Sequence, residues 1–412
     1  MGRPTRAFAL RLAGLTAAGV ALRALYLLTV GRHVTGIGDW HFYHWQANLI
    51  ADGHGFIEPY KWLFEHRPSP SAGHPPLYPL ALSAVSLLGG TSELSHRALG
   101  LILGAVTIVL VGLLGRRAGG ERTGLLAAGL CAGYPLMIAV DGALMSETLY
   151  GPLVVLALLA AWRLIDAPGA LAAVVAGVAI GVAASARSEA LLLVPLLAWP
   201  AAWRGGAGWP LRAVLATLGC LVALAPWTIR NADRFGALVP VSTNDATVIA
   251  GANCPLTYSG ADLGGWNIRC ISERRDDNEA RQAAIWRREG VDYATGHVSR
   301  WPVLAAVRWL RVWDLYQPRR QVMFAEGRQR RVEQAGVVVY GLLALLALGG
   351  VAVLWRTRRR DALLVLLAPA VVVSVSAVIG YGVPRLRHAF EMGMLVLAAV
   401  ALAGLWERRR AA

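Results

Sequence analysis

The sequence predicts an all-α polytopic membrane protein: about ten transmembrane helices, juxtamembrane helices in the first external loop and a small mixed external subdomain. Three observations support this fold class. Hydrophobic residues make up 56% of the 412 residues and charged residues only 16%, whereas soluble domains contain about 25% charged residues. Apolar runs of about 20 residues recur, and each is long enough to cross a bilayer. Arginines are concentrated in alternate connections between these runs.

The apolar runs give ten predicted spans. They cover residues 8–30, 98–114, 123–140, 149–164, 171–186, 190–203, 211–227, 337–355, 362–379 and 389–406. An even number of spans places both termini on one side of the membrane. Alternate short connections carry the arginines, and the C-terminal tail ends with Arg408, Arg409 and Arg410. Because cytoplasmic connections are enriched in arginine and lysine, we expect both termini to be cytoplasmic in a cell (plasma) membrane protein.

The spans suggest three parts. Residues 1–228 form a predicted transmembrane catalytic core with an external loop at 31–97, residues 229–334 form an extracytoplasmic subdomain, and residues 335–412 form the C-terminal transmembrane helices. Within the subdomain, turn formers are frequent, and short β-like pieces are predicted around Val239 and Val248. A more helical part follows from Asp277 to Tyr316.

The net charge of +15 could suggest a nucleic-acid partner. The arginines lie between apolar runs, however, as a topology signal would, so we expect no nucleic-acid binding. Cys254 and Cys270 lie in the polar subdomain, where a disulfide would fit an oxidising exterior. Two free thiols are the alternative. Cys131 and Cys220 lie in apolar runs, and no cysteine spacing is typical of a zinc site.

The first external loop carries two predicted helices. Asp39 begins the stretch DWHFYHWQANLIAD, in which an apolar stripe at helical spacing contains Phe42, Trp45, Leu49 and Ile50. Such a stripe predicts a helix that lies on the membrane surface. The later stretch HPPLYPLALSAVSLLGG is short and proline-rich at its start, which predicts a second juxtamembrane or re-entrant helix.

Ionisable residues at the predicted external ends of the spans are the candidate site residues. Such groups are energetically costly near a membrane, so their presence there indicates a function. They are Asp39, His74, Asp141, Glu147, Arg187 with its neighbour Glu189, and Arg385 and Arg387 with the adjacent His388. Carboxylates beside arginines suit the transfer of a group from a phosphate to a hydroxyl. A carboxylate can act as a base on the hydroxyl, and an arginine can stabilise a phosphate leaving group.

Each candidate also has a structural interpretation. These are a helix N-cap for Asp39, a turn for Asp141, a favourable N-terminal charge for Glu147, an ion pair with Glu189 for Arg187 and a proline-loop role for His74. Arg385 and Arg387 would lie outside, against the inside bias of the other arginines, and this favours phosphate contact for at least one of them.

The order of these motifs resembles the glycosyltransferase C superfamily, in the branch of protein O-mannosyltransferases and the lipid A aminoarabinose transferase. The resemblance rests on an acidic residue opening a juxtamembrane helix (GDWHFYHWQ) and on HPPLYP followed by Arg97. It continues through MSETLY, ARSEALL, PWTIRN and PRLRH. The chain departs from the family at Trp40, where many members have Glu.

The resemblance implies an inverting hexosyl- or pentosyltransferase. It would move a sugar from a polyprenyl-phosphate-linked donor to a hydroxyl of a protein, lipid or polysaccharide on the external face. Asp39 would be the general base and Glu147 would position the acceptor or the sugar. Arg187, with Arg385 or Arg387, would hold the phosphate. Asp141, His74 and Tyr78 complete the predicted substrate-binding set. No metal ligands are assigned, and Trp40 leaves open both a divalent cation and the choice of Glu147 or Asp141 as second acid.

Two other classes remain as alternatives. A flippase or transporter of lipid-linked sugars would predict an internal repeat and charges near the bilayer midplane, whereas the candidate charges lie at span ends. A glycan ligase or polymerase using the same donor class would share most of these features.

Overall fold

A computed structural model describes residues 4–34, 38–321 and 326–411, with side chains up to residue 406. The first part of the chain is helical. Its α-helices are α1 (Arg6–Thr29), α2 (Asp39–Ala51), α3 (Pro59–Glu65), α4 (Leu77–Leu87), α5 (Glu93–Gly119), α6 (Glu121–Gly133), α7 (Pro135–Asp141), α8 (Glu147–Asp166), α9 (Ala170–Ala184), α10 (Trp199–Arg204) and α11 (Trp209–Phe235).

The remainder is helical as well. It contains α12 (Asn244–Ala252), α13 (Pro255–Tyr258), α14 (Glu279–Gly296), α15 (Trp301–Val312), α16 (Pro318–Gln321), α17 (Arg330–Arg356), α18 (Arg360–Ile379) and α19 (His388–Ala411), with a 3₁₀ turn at Pro384–Arg387 before α19. The side chains of Arg408, Arg409 and Arg410, which the topology prediction used, lie outside the described residues.

Seven helical segments in the described part of the chain are long and apolar enough to cross a membrane. They contain α1, α5, α8, α11, α17, α18 and α19. The pair α6 and α7 would be an eighth span, bent by 61° at a break before Pro135. The prediction of an all-α, multi-pass membrane protein is therefore confirmed.

The predicted number of ten spans is not confirmed. The run 171–186 forms α9, which has 15 residues. The run 190–203 is divided into a 3₁₀ turn, a π-helical turn around Pro195 and the short helix α10, which has Pro200 in its first turn. Proline removes a backbone N–H and clashes with the preceding helical turn, so this apolar run does not continue as one long helix.

Small residues allow the long helices to approach closely. A Cβ at Gly177 of α9 would lie 1.9 Å from the carbonyl oxygen of Ala216 in α11. A Cβ at Gly350 of α17 would lie 1.9 Å from the carbonyl oxygen of Leu397 in α19. Small residues at such crossings are typical of membrane helix packing. The main core lies among these helices, and α19 is its most buried member, with 78% of its apolar window inside the structure.

The predicted helix at Asp39 is confirmed as α2, but its apolar side faces protein. Phe42 and Leu49 are buried, whereas Trp45 and Ile50 are partly exposed. The helix packs against α4, and Phe42 joins a core cluster with Tyr78. The stripe at helical spacing therefore marks contact with α4, and this contact anchors the N-terminus of α2.

The β-like pieces predicted in the segment 229–334 are wrong. Val248 lies within α12, which packs on α14, and Val239 lies in a loop. Apolar runs this short do not distinguish strand from helix without a partner strand. Cys254 and Cys270 are joined in a disulfide with a Cα–Cα distance of 6.0 Å, whereas Cys131 and Cys220 are buried free thiols.

Candidate active site

Four helix ends bring the central charged residues together. Asp39 is the first residue of α2 and Glu147 the first of α8. Arg187 follows α9 by three residues, and Arg385 lies in the 3₁₀ turn before α19. An acidic residue at a helix N-terminus is favoured by the helix dipole, which explains locally why Asp39 and Glu147 begin their helices.

The Arg385 guanidinium lies at the centre of the cluster and contacts three carboxylates. Its Nη2 donates to Asp39 Oδ2 at 3.1 Å, and its Nη1 donates to Glu326 Oε2 at 3.1 Å. Its Nε donates to Glu147 Oε1. Three segments that are distant in the sequence are thus held by one fork-shaped cation, which a lysine could not reproduce.

Arg187 supplies the second cation. Its Nη1 lies 2.8 Å from Glu147 Oε1, and its Nε donates to Glu189 Oε1 at 2.6 Å. Glu147 is 3% exposed and lies between Arg187 and Arg385, while its Oε2 has no hydrogen-bond partner among the described residues. Glu147 therefore fixes the spacing of the two guanidinium groups.

His74 lies on the other side of Asp39. Its Nε2 is 3.9 Å from Asp39 Oδ1, and its Nδ1 is hydrogen-bonded to the Tyr43 hydroxyl at 3.2 Å. Tyr78 packs edge-on against Tyr43 with ring centroids 5.0 Å apart, and it is 3% exposed. Tyr78 thus supports the wall formed by Tyr43 and His74 rather than lining the opening.

The Asp39 carboxylate is ionised and partly exposed. Burial alone would raise the pKa of its carboxyl, but the positive charges of His74 and Arg385 more than offset this effect and lower the pKa. Burial also lowers the pKa of His74, in spite of Asp39, so His74 carries the charge that acts on Asp39 only at acidic pH. The Asp39 side chain is 36% exposed, so an ionised carboxylate remains open to a substrate hydroxyl.

These groups line a cavity of about 350 Å³, which we call the site cavity. Its charged and titratable lining residues are Asp39, His74, Arg187, Glu189, Asp245 and Arg385. Apolar side chains from four segments also line it, namely Leu192, Val248, Ile249, Ile379 and Leu386. A cavity that combines clustered charges with apolar side chains suits an amphiphile with an anionic head.

Two predicted substrate-binding residues lie elsewhere. Asp141 is 7% exposed, and its Oδ2 accepts a hydrogen bond from Arg23 Nε at 2.5 Å. Arg387 is 1% exposed, pairs with Asp314 and Glu391, and has its guanidinium 3.6 Å from the ring centroid of Tyr340. Neither lines the site cavity. Each forms buried ion pairs that the sequence analysis did not predict.

Sequence reasoning did not identify Glu326 and Tyr381. Glu326 is a single acid within an arginine-rich stretch, and its contact with Arg385 places it in the site. Tyr381 lines the site cavity, and burial raises its pKa to about 12. Its position in YGVPRLRH, four residues before Arg385, was the one available signal.

The donor set does not fit a divalent cation. No group of three or more His, Cys, Asp or Glu side chains in the described part of the chain could hold a metal ion. The three carboxylates that converge, Asp39, Glu147 and Glu326, surround the Arg385 guanidinium, which already supplies the positive charge at their centre. We therefore derive no step through a metal.

Comparisons with known proteins agree with the motif order. Residues 73–229 match the family model described as dolichyl-phosphate-mannose-protein mannosyltransferase. That segment contains His74, Tyr78, Glu147 and Arg187, whereas Asp39 and Arg385 lie outside it. No curated protein matches the chain.

Solved structures share the fold. The archaeal oligosaccharyltransferase AglB from Archaeoglobus fulgidus, in complex with an inhibitory peptide and a dolichol-phosphate, matches with a TM-score of 0.58 at 16% identity. That match covers 98% of this chain and 51% of AglB, so the chain spans about half the length of that protein. AglB in the apo form gives a TM-score of 0.57, at 16% identity over 97% of this chain and 51% of AglB.

ArnT from Cupriavidus metallidurans bound to undecaprenyl phosphate is less similar. Its TM-score is 0.43 at 15% identity, over 95% of this chain and 77% of ArnT. The family match in residues 73–229 and the fold that 98% of this chain shares with AglB confirm the predicted resemblance to the glycosyltransferase C superfamily.

Proposed function

We propose that the protein is an inverting glycosyltransferase. It moves a sugar from a polyprenyl-phosphate-linked donor to an acceptor hydroxyl on the external face of the cell membrane. The observation that carries this proposal is the site cavity, whose lining combines an ionised, partly exposed Asp39 with two guanidinium groups and several apolar side chains. Asp39 is the base, and Arg187 with Arg385 forms the phosphate site.

The reaction is a single displacement. Asp39 accepts the proton of the acceptor hydroxyl as its oxygen forms a bond to the anomeric carbon of the donor. The bond between that carbon and the phosphate oxygen breaks, and the polyprenyl phosphate leaves with the bonding electrons. Attack from the face opposite the leaving group inverts the anomeric configuration. A positioned general base contributes about 10²–10⁴-fold to such a step.

Arg187 and Arg385 stabilise the charge that develops on the departing phosphate. In the structure both guanidinium groups contact Glu147, so a donor phosphate competes with an existing carboxylate for them. Glu147 keeps them adjacent before the donor binds. Removing one such preorganised hydrogen-bond donor typically lowers kcat by about 10²–10³-fold.

The charge distribution supports an external site. The site residues lie at the N-terminal ends of α8 and α19, whereas Arg163 and Arg356 lie in the last turns of α8 and α17. Arg116 and Arg117 likewise end α5. Arginine clusters mark the cytoplasmic ends of membrane helices, so the opposite ends, with the site, face outward and both termini are cytoplasmic.

The comparisons support the donor class. The family model matched in residues 73–229 describes transferases that use dolichyl-phosphate-mannose, and AglB, which shares the fold, was solved with a dolichol-phosphate and a peptide. A polyprenyl chain would lie against the apolar wall around Leu192 and Ile379 and extend into lipid. The acceptor is a hydroxyl of a protein, lipid or polysaccharide.

The test is turnover of a panel of radiolabelled polyprenyl-phosphate sugars by the purified protein in liposomes. We expect release of free polyprenyl phosphate from at least one member, with label recovered in an acceptor added as a membrane extract. Movement of intact donor across the bilayer without release of the lipid would instead identify a flippase. Turnover restricted to donors that carry an oligosaccharide would identify a glycan ligase or polymerase.

A further inference from the structure

A second cavity, of about 200 Å³, adjoins the site cavity, and Tyr381 and Arg385 line both. Glu326 also lines the second cavity. Its remaining polar and aromatic walls come from the segment before α17, at Asp262, Trp266, Asn267, Arg311 and Gln321. A ligand in the second cavity would therefore touch the same guanidinium group that we assign to the phosphate.

Asp262 and Arg311 already have partners in this cavity. Asp262 accepts a hydrogen bond from Arg320 Nη2 at 2.8 Å. Arg311 donates to neutral oxygens, including the carbonyl oxygen of Gly382 at 3.0 Å and Gln321 Oε1 at 3.2 Å. An anionic ligand would have to displace these oxygens to reach Arg311, so the cavity suits a neutral ligand that forms hydrogen bonds.

Gln321 supplies a side-chain donor that no described residue uses. It is 5% exposed and lines the cavity, and its Nε2 has no hydrogen-bond partner among the described residues. A buried amide that lacks a partner costs about 1–3 kcal/mol. An oxygen of a bound ligand would satisfy it, which makes Gln321 an indicator of a binding site rather than of packing alone.

Trp266 supplies a fixed aromatic surface. Its indole N–H donates to the carbonyl oxygen of Thr247 at 2.8 Å. The ring also lies against Gly251, where an added Cβ would be 2.1 Å from the indole nitrogen. An immobile aromatic ring beside amide and carboxylate groups offers both an apolar face and hydrogen-bonding edges.

We propose that the second cavity binds a single sugar ring during transfer, with Gln321 and Trp266 as its specificity-determining residues. A neutral ring with several hydroxyls and apolar C–H faces matches these walls. The volume of about 200 Å³ accommodates one ring and not an oligosaccharide. This inference rests on the proposed function. The ring belongs either to the donor or to a carbohydrate acceptor, and the experiment separates the two.

Gln321→Glu is the decisive variant, because it keeps the oxygen that accepts from Arg311 and removes the N–H donors. Trp266→Leu removes the aromatic face. Trp266→Phe keeps an aromatic ring and should therefore retain part of the preference for a sugar-bearing ligand. Gln282→Glu is the matched control. Gln282 is a buried glutamine in α14 whose Nε2 also lacks a partner among the described residues, but it lines neither cavity.

The probes are farnesyl phosphate and farnesyl phosphate carrying the sugar that wild type turns over fastest, with affinities measured in detergent. Wild type should bind the sugar-bearing probe at least about tenfold more tightly. Gln321→Glu and Trp266→Leu should both lose this preference. Trp266→Leu adds no charge, so its affinity for farnesyl phosphate should stay unchanged. Gln282→Glu should behave as wild type.

Other results have separate meanings. If the two variants keep the preference for the sugar-bearing probe but raise the KM of a carbohydrate acceptor, the ring in the second cavity is the acceptor's. If they change neither quantity, the assignment of the cavity is overturned although the transferase proposal stands. If wild type does not bind farnesyl phosphate at all, the donor class has failed, and this inference fails with it.

Discussion

Replacing Asp141 by leucine should destabilise the protein without changing its chemistry. Asp141 forms a buried ion pair with Arg23, at 2.5 Å, and the two side chains are 7% and 1% exposed. Arg23 also donates to the carbonyl oxygens of Gly19 and Ala132 at 3.1 Å. The pair thus joins α1 to α7 and the end of α6, at a point where little water can replace the lost carboxylate.

The expected magnitude follows from the charge left behind. Breaking a buried ion pair by removing one partner costs about 3–5 kcal/mol, because the other charge stays buried and unpaired. The unfolding equilibrium should then shift by more than about 100-fold, since each 1.4 kcal/mol is a factor of ten. The double variant Arg23→Met with Asp141→Leu should recover most of the loss, because it leaves no isolated charge.

The assay is thermal unfolding in detergent, with kcat measured per folded molecule at a temperature where each variant is intact. Asp166→Leu is the control, because Asp166 pairs with Arg117 near the surface and is 40% exposed. Breaking an exposed pair should cost at most about 1 kcal/mol. Wild-type stability together with a kcat reduced 100-fold in Asp141→Leu would refute this reasoning and return Asp141 to the site.

Three further predictions concern the site and the disulfide. Arg385→Lys keeps the charge but cannot contact three carboxylates at once, so kcat should fall by about 10²-fold or more; a smaller loss would remove Arg385 from the phosphate site. His74→Gln removes a positive charge that lowers the pKa of Asp39. That pKa should therefore rise, and the acidic limb of kcat/KM should move to higher pH; a shift to lower pH would contradict this. Replacing both Cys254 and Cys270 by serine removes the disulfide that links two positions 16 residues apart in the sequence. This should cost about 3 kcal/mol in thermal unfolding, and a reductant should then have no further effect; unchanged stability would contradict it.

Local signals in the sequence predict the starting points of the site. Asp39 and Glu147 each open a helix, and Arg187 and Arg385 lie in short connections where an arginine is unexpected on the outer side. The outer side is here the side that the topology prediction assigns to these connections. Apart from that prediction, the signals depend only on neighbouring residues. The structure brings all four together, although whether they act on a substrate stays a prediction.

Tertiary partners decide what the sequence cannot show. Asp141 carries much the same local signal as Glu147, yet Arg23, more than a hundred residues earlier, binds it. Glu326 carries no local signal and reaches the site through Arg385. Hydropathy alone also does not confirm the number of spans, because it counts the run around Pro195 as apolar without registering that proline interrupts the helix.

The most direct test of the central claim is the transfer rate of Asp39→Asn compared with Asp52→Asn. Both residues lie at the ends of α2, but Asp52 is exposed and lines no part of the site cavity. At saturating donor and equal folded protein, Asp39→Asn should lose about 10²–10⁴-fold in rate while its affinity for farnesyl phosphate changes little, because the base is lost and the phosphate site remains. Asp52→Asn should match wild type. An Asp39→Asn variant that retains most of its activity would show that Asp39 serves only as an ion-pair partner of Arg385, and the proposed mechanism would be wrong.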